Sequence, residues 1–301
     1  TNIVGAGLRL KSTIDRETLG LTQEQAEAWQ RHTQAEFALW ANRKQAALKM
    51  IDVNYPTLMG LQECSWTIRE DILKADSRRK AIGNSVNNEQ SGYTTTSSNS
   101  IIYRSDIFEV VRSGQFWFSK TPDEVSNVFN ASIPFEPKPR ICTWARFRVI
   151  NTSKEFYHFN IHLHNGSHAN WLSDKYIADS RTKSLELLFS RIAAENTSGL
   201  PVIITGDHNE GDDSTNANSD LGSDVYRAYQ NSGYTSARWL AADTDKERTL
   251  NSWGTSATSV LDHIYVNDAV SVNRFYVDRN AYEGVTYVSD HYPVFCEMTL
   301  K

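Results

Sequence analysis

Between Phe156 and Thr205 the chain reads as strand, helix, strand. Phe156 to Leu163 is an apolar, β-prone run. Ile177, Leu185, Leu188 and Ile192 then mark one helical face, which stops near Asn196 and Gly199, and Pro201-Val-Ile-Ile-Thr205 is a second short, β-branched run. A crossover helix placed between two strands returns the chain to the same sheet. An α/β architecture follows from that one segment.

The same runs deliver polar residues at their ends. Leu200 to Thr205 reads as a buried strand that ejects Asp207 and Asn209 from Gly206-Asp207-His208-Asn209. Val260 to Val266 and Thr286 to Val288 read similarly, and with them come Leu261-Asp262-His263 and Ser289-Asp290-His291-Tyr292-Pro293. Leu58-Met-Gly-Leu-Gln-Glu63 adds a carboxylate after another apolar stretch. Singly, an Asp after a strand is a turn former or a helix cap. Jointly, acids, an amide and imidazoles at strand ends are where a scaffold can aim them into one cleft. Asp207 and Asn209 stand two apart, so in an extended segment they share a face. The set suits metal-assisted hydrolysis of a phosphate ester.

Elsewhere the pattern alternates α and β. Thr22 and Gln25 fit a capping box, and Ala26, Trp29, Phe37 and Trp40 recur at helical spacing, so an extra N-terminal helix is expected around residues 22–50. Ala47, Leu48 and Ile51 continue it until Asn54-Tyr55-Pro56 breaks it. From Ser100 to Ile150 the chain is strand-rich, with Ile101 to Tyr103, Phe108 to Val111, Gln115 to Phe118 and Ile141 to Val149 as candidates. Core packing is the default for Trp117 and Trp144 on such strands.

No linker or charge block divides the 301 residues, and a single domain over 1–301 is expected. The net charge of −5 and the lack of a basic run weigh against nonspecific duplex binding and favour a small phosphorylated partner, although an acidic chain can still carry a local basic groove. Cys64, Cys142 and Cys296 are too few and scattered for a disulfide framework or thiolate site and read as buried thiols. No uncharged apolar run approaches the ~20 residues of a bilayer span. The start at Thr1 and stretches such as Ser91 to Asn99 suit an exported protein, and a monomer is expected.

With these motifs the chain resembles the endonuclease/exonuclease/phosphatase superfamily from about Trp40 to the C-terminus. Phe116-Trp-Phe-Ser-Lys-Thr-Pro-Asp123 and Pro139-Arg-Ile-Cys-Thr-Trp-Ala-Arg146 are similar to a bacterial branch whose substrates are mostly unassigned. The resemblance implies a four-layer α/β sandwich, with two mixed β-sheets packed face to face, helices outside and the cleft at one end. It implies Glu63 and Asp290 as metal ligands, hard oxygen donors suited to Mg²⁺ or Mn²⁺. Asp207 would orient or deprotonate the attacking water, and Asn209 would hold a phosphoryl oxygen or that water. Asp262 would pair with His291, fixing its tautomer and raising its pKa, while His162 would hydrogen-bond the scissile phosphate. Arg140 and Arg146 fit either a forked phosphate clamp or strand salt bridges.

Three positions depart from the family pattern. Gly7 falls where many members carry a metal-proximal asparagine. His164 stands in His162-Leu163-His164-Asn165 where the bacterial branch commonly reads His-Leu-Asp-His, and fits a substrate contact or a surface position. His208 replaces an inward-packing aromatic and reads as a hydrogen-bonded core residue. Together His162, His164 and His208 also allow a metal preference moved toward Mn²⁺ or Zn²⁺. The expected activity is a divalent-metal-dependent phosphoesterase acting on a phosphate mono- or diester. A secreted nuclease acting on DNA or RNA, and a weakened enzyme or binding protein retaining the fold, are the alternatives.

Overall fold

The computed structural model describes residues 2–4, 39–83, 98–124, 139–164, 171–210, 224–254 and 259–301. In the first third lie β1 (Asn2–Val4), helix α1 (Trp40–Asn54), β2 (Leu58–Leu61), α2 (Trp66–Ala75), β3 (Arg79–Ile82) and β4 (Ser100–Arg104). The middle holds β5 (Phe108–Trp117), β6 (Ile141–Val149), β7 (Glu155–His162), α3 (Trp171–Glu195) and β8 (Val202–Asp207). Then follow α4 (Asp224–Asn231), β9 (Thr235–Ser236), α5 (Ala237–Leu240), β10 (Asp243–Thr244), β11 (Asp262–Val266), β12 (Val270–Val277) and β13 (Val294–Leu300).

Two mixed sheets result, ordered β10-β12-β13-β1-β2-β4-β3 and β5-β6-β7-β8-β11-β9. Alternation along each strand sorts side chains into three apolar clusters. Phe147, Phe156, Ile203, Ile264, Phe275 and Val294 meet between the sheets. Trp144, Tyr157, Phe159 and Ile204 face outward onto Leu185, Leu188 and Ile192 of α3 and Val225 and Tyr229 of α4. On the far side of the other sheet, Met59, Leu61, Ile102 and Phe295 pack under Ala46, Met50 and Ile51 of α1 and Ile72 of α2. Helix, sheet, sheet and helix therefore form four layers.

The crossover reading holds: β7 and β8 are parallel, joined by α3. Toward one end the inter-sheet layer turns polar. His158, Asn160 and His162 lie at alternate positions of β7, and Asn160 donates from Nδ2 to Leu61 O at 3.0 Å and Ser100 O at 3.1 Å across the gap. Gln62 Nε2 donates to Asn160 Oδ1 at 2.6 Å, and His158 Nε2 meets Thr205 Oγ1 at 2.8 Å. Gly60 makes this close approach possible. A Cβ there would come within 2.2 Å of Thr205 Oγ1 and 2.5 Å of Asn160 Oδ1.

Three expectations need correction. Phe108 to Val111 and Gln115 to Phe118 are not separate strands but one strand, β5, bulged between Val110 and Arg112. Gly114 is there not as a breaker but because a Cβ would strike Trp144 Nε1 at 2.9 Å. Thr286 to Val288 form no strand; the segment bonds instead to the loop before β11, where Asn251 Nδ2 donates to Ser289 O at 2.7 Å. Asn209 is not extended either, since its φ is 52°. The expected N-terminal helix is described from Trp40 onward; Thr22, Gln25, Trp29, Phe37 and Gly7 lie outside the described residues. It ends as expected, with Tyr55 in the left-handed region as its C-cap.

Candidate active site

Register builds the centre of the site. Parallel pairing of β7 with β8 sets His162 beside Asp207, and antiparallel pairing of β8 with β11 sets Asp207 beside Asp262. Three strand ends thus present an imidazole and two carboxylates in one row, on the inter-sheet face where the apolar layer stops. His291 extends the row: its Nδ1 lies 2.7 Å from Asp262 Oδ2. Donor atoms of Asp207, Asp262 and His291 all lie within 4.8 Å of one another.

Charges in this row shift one another. Burial alone would push His291 toward neutrality, but Asp262, Asp207 and Asp290 around it override that and raise it to about 10. Burial raises Asp207 to about 6; the His291 imidazolium works against the rise and the Asp262 carboxylate adds to it. At neutral pH the Asp262–His291 pair is therefore a carboxylate holding an imidazolium, with Nδ1 donating to Asp262 and Nε2 left as the second donor. Asp262 is fixed from behind, because Thr249 Oγ1 accepts from the backbone N–H of Leu261 at 2.9 Å and of Asp262 at 3.1 Å.

Arg140 Nη1 donates to His162 Nε2 at 2.7 Å. A guanidinium can only donate, so Nε2 is an acceptor and the proton of His162 sits on Nδ1. Burial, followed by the field of Arg140, holds His162 well below the usual imidazole range, which agrees with a neutral ring. Asp207 Oδ2 is 3.4 Å from the same nitrogen. The cation in this corner is thus Arg140, buried among Asp207 and Glu63, whose carboxylates offset part of its desolvation. Arg146 is not brought here. It sits on the outer face of β6, paired with Glu155 and over the Tyr157 ring, six residues and roughly 20 Å along the strand from Arg140.

Asn209 turns back on the scaffold. Its backbone N–H donates to Asp207 Oδ1 at 2.8 Å and its Nδ2 to Leu163 O at 2.9 Å, an Asx turn in which the Asn209 Oδ1 accepts no hydrogen bond among the described residues. Arg181, on α3, locks both strand ends: it forms an ion pair with Glu210 at 2.6 Å and donates to His164 O at 3.1 Å and Asn209 O at 3.4 Å. No local signal marks Arg181 in the sequence, because its partners lie 17 and 28 residues away.

Glu63 and Asp290 sit on the other sheet's side of the cleft, where the Glu63 charge acts on Asp290. Burial and then Glu63 raise the Asp290 carboxyl, His291 opposing. Neither carboxylate forms a salt bridge among the described residues, and Glu63 occupies a left-handed backbone conformation at φ 51° that turns it out of β2. Both are hard oxygen donors without a salt bridge among the described residues, a pair that fits a divalent metal of the Mg²⁺ or Mn²⁺ type. The Asp207–Asp262–His291 cluster fits one less well, since His291 already supplies the positive charge. The imidazole route toward Zn²⁺ is excluded at His208: Nδ1 donates to Gly206 O at 3.0 Å and Nε2 accepts from Tyr229 at 2.8 Å, so neither nitrogen is left for a metal. His208 is the core residue expected. His164 is not at the surface; it is buried, and burial brings its ring down to about 3. All three cysteines are free and buried.

A family model described as "Endonuclease/Exonuclease/phosphatase family" matches residues 25–291. No curated protein matches the chain. Among solved structures, an endonuclease/exonuclease/phosphatase from Bacteroides vulgatus is 24% identical, with a TM-score of 0.70 over 87% of this chain and 92% of that one. A Bacteroides thetaiotaomicron mannosyl-6-phosphatase is 22% identical with a TM-score of 0.68 over the whole of both chains. D. rerio TDP2 complexed with single strand DNA product is 15% identical, with a TM-score of 0.61 over 86% of this chain and 92% of that one. At these identities the structural likeness establishes the fold. Among the described residues no helix is long and apolar enough to cross a membrane.

Proposed function

Because the chain belongs to the endonuclease/exonuclease/phosphatase family, whose members hydrolyse phosphate esters, we propose that it hydrolyses the ester of a small phosphorylated molecule with a divalent cation held by Glu63 and Asp290. The carrying observation is the row His162–Asp207–Asp262 continued by His291, which sets a proton acceptor and a proton donor side by side. Bound between Glu63 and Asp290, Mg²⁺ or Mn²⁺ would screen the phosphate oxygens and polarise the P–O bond.

The protein's own groups supply the rest. Asp207, raised to about 6, is ionised yet basic enough at neutral pH to take a proton from water. Asn209 Oδ1 accepts from the same water and orients it. His291, kept charged by Asp262, offers Nε2–H to a phosphoryl oxygen as negative charge develops. Arg140, donating to His162, adds positive charge beside Asp207. A net charge of −5 with no basic run favours a small substrate over a long nucleic acid.

Hydrolysis of p-nitrophenyl phosphate, bis-p-nitrophenyl phosphate and supercoiled DNA, measured after chelation and after return of each metal, tests this. Metal-restored turnover is expected on a small ester. His291→Ala should lower it by ~10²–10⁴-fold with normal folding, and near-wild-type turnover in that variant would refute the site.

A further inference from the structure

Helix α1 carries an arginine whose hydrogen bonds are unmade. Arg43 is only 9% exposed, and its Nε is buried without a hydrogen-bond partner among the described residues. Its guanidinium lies between two indoles, 5.3 Å from the Trp40 ring centroid and 5.9 Å from that of Trp253. Neither indole can accept its in-plane N–H groups. The nearest carboxylate that acts on its charge is Asp290, yet no salt bridge joins them, which places the two groups more than 4.0 Å apart. The buried cation thus stands beside an acid with which it makes no ion pair.

Both aromatic walls are fixed. Trp40 Nε1 donates to Asp71 Oδ2 at 2.7 Å, and Lys44 pairs with the same carboxylate at 2.8 Å, tying the start of α1 to α2. Trp253 is held in the left-handed region at φ 60°, directly after Ser252 at φ 43°. Asn251 imposes that turn: its Oδ1 accepts from Trp253 N at 2.9 Å, while Asn251 N and Ser252 N donate to Asp290 O at 2.8 and 2.9 Å. Two successive non-glycine residues with positive φ form a backbone that L side chains rarely adopt, held here at an energetic cost. The turn that bears this cost seats Trp253 on Arg43 and grips the Asp290 backbone at once.

We propose that Arg43, clamped between Trp40 and Trp253 beside Asp290, is an oxyanion subsite that takes a phosphoryl oxygen of the substrate. The inference rests on the phosphoesterase reading for the identity of the anion, but the subsite is defined by binding and does not depend on turnover. An oxygen seated there would satisfy the Nε–H that is otherwise buried without a partner among the described residues, and would lie near Asp290, proposed to hold the cation. A guanidinium with indole rings of Trp40 and Trp253 close by offers its N–H edge, a planar array of charged donors that suits an oxyanion better than a neutral hydroxyl.

Titration calorimetry with inorganic phosphate, in the presence of saturating Mg²⁺ or Mn²⁺, tests it on the wild type, Arg43→Lys and Arg43→Met, with each metal titrated separately. Circular dichroism and a thermal melt establish that the variants fold; Arg43→Lys keeps the charge and most of the packing if Arg43→Met does not fold. The expected result is phosphate binding by the wild type, at least tenfold weaker in Arg43→Lys, with metal affinity unchanged. Equal phosphate affinity in a folded variant would overturn the proposal, as would a loss confined to metal affinity, which would make Arg43 a positioning residue for Asp290. Wild-type phosphate binding lost in the variants, without turnover of any ester, would support the subsite while sinking the phosphoesterase reading. Absence of phosphate binding in the wild type would sink the subsite.

Discussion

Arg140 meets His162 nitrogen to nitrogen, Nη1 donating to Nε2 at 2.7 Å. That one contact decides which tautomer His162 adopts and places the Arg140 guanidinium beside it. Nitrogen NMR of the His162 ring should find Nε2 unprotonated across neutral pH in the metal-free protein. Arg140→Gln, which cannot offer a charged fork, should lower kcat/KM by ~10²–10³-fold, comparable to losing one donor at a developing oxyanion. A protonated Nε2, or a fully active Arg140→Gln, would contradict the assignment.

The Glu63 charge raises the Asp290 carboxyl, and the proposed cation would relieve that repulsion. Asp290→Asn should therefore leave the metal-free protein as stable as wild type or more so, because a carboxyl raised by burial and by Glu63 is replaced with a neutral group. Wild type should gain ~2.7 kcal/mol on addition of metal at a hundred times its Kd. Asp290→Asn should gain little. Melting temperatures with and without Mg²⁺ make the comparison, and an equal metal response in the variant would rule Asp290 out as a ligand.

His158 predicts how the fold fails in acid. Burial between the sheets brings it down from 6.5 to about 3, with Nε2 engaged by Thr205. Between those values the unfolded chain binds a proton that the folded chain refuses. The stability this group contributes is thus intact above pH 6.5 and is lost as pH falls toward 3, with a slope of up to ~1.4 kcal/mol per pH unit. His158→Gln should flatten that limb in urea melts taken from pH 7 to 4. An unchanged slope would mean that another group sets the acid limit.

Gly60 is where the two sheets come closest to the polar end of their interface. Gly60→Ala should destabilise by ~1–3 kcal/mol, since the added Cβ meets Thr205 Oγ1 and Asn160 Oδ1 well inside contact distance. The lost stability would appear as a lower urea midpoint at unchanged m-value. Because Gln62 bonds Asn160 and precedes Glu63, metal affinity should fall as well. A variant as stable as wild type would show that the interface can open without cost.

Local pattern alone determined the α/β class, the limits of β6, the crossover through α3 and the strand ends that carry Asp207 and Asp262. Each of these depends on the alternation or the helical spacing of neighbouring residues, which is written along the chain. Other features depended on register and on elements far apart in sequence. Asp207 and Asp262 are 55 positions apart, and only antiparallel pairing of β8 with β11 sets them side by side. Arg140 and Arg146 were equivalent as residues of one motif. Six residues apart, the two would share a face of one continuous strand; β6 starts only at Ile141, so Arg146 keeps to its outer face while Arg140, outside the strand, meets His162. Arg181, Asn251 and Arg43 carry no local signal, since an arginine on a helix or an asparagine before a serine is ordinary until the fold shows what it faces. The sequence could name the chemistry because residue types and strand ends are local properties. Tertiary structure decided which groups share a proton, which share a cation and which charge is left waiting for a partner, because those depend on distances that only packing creates.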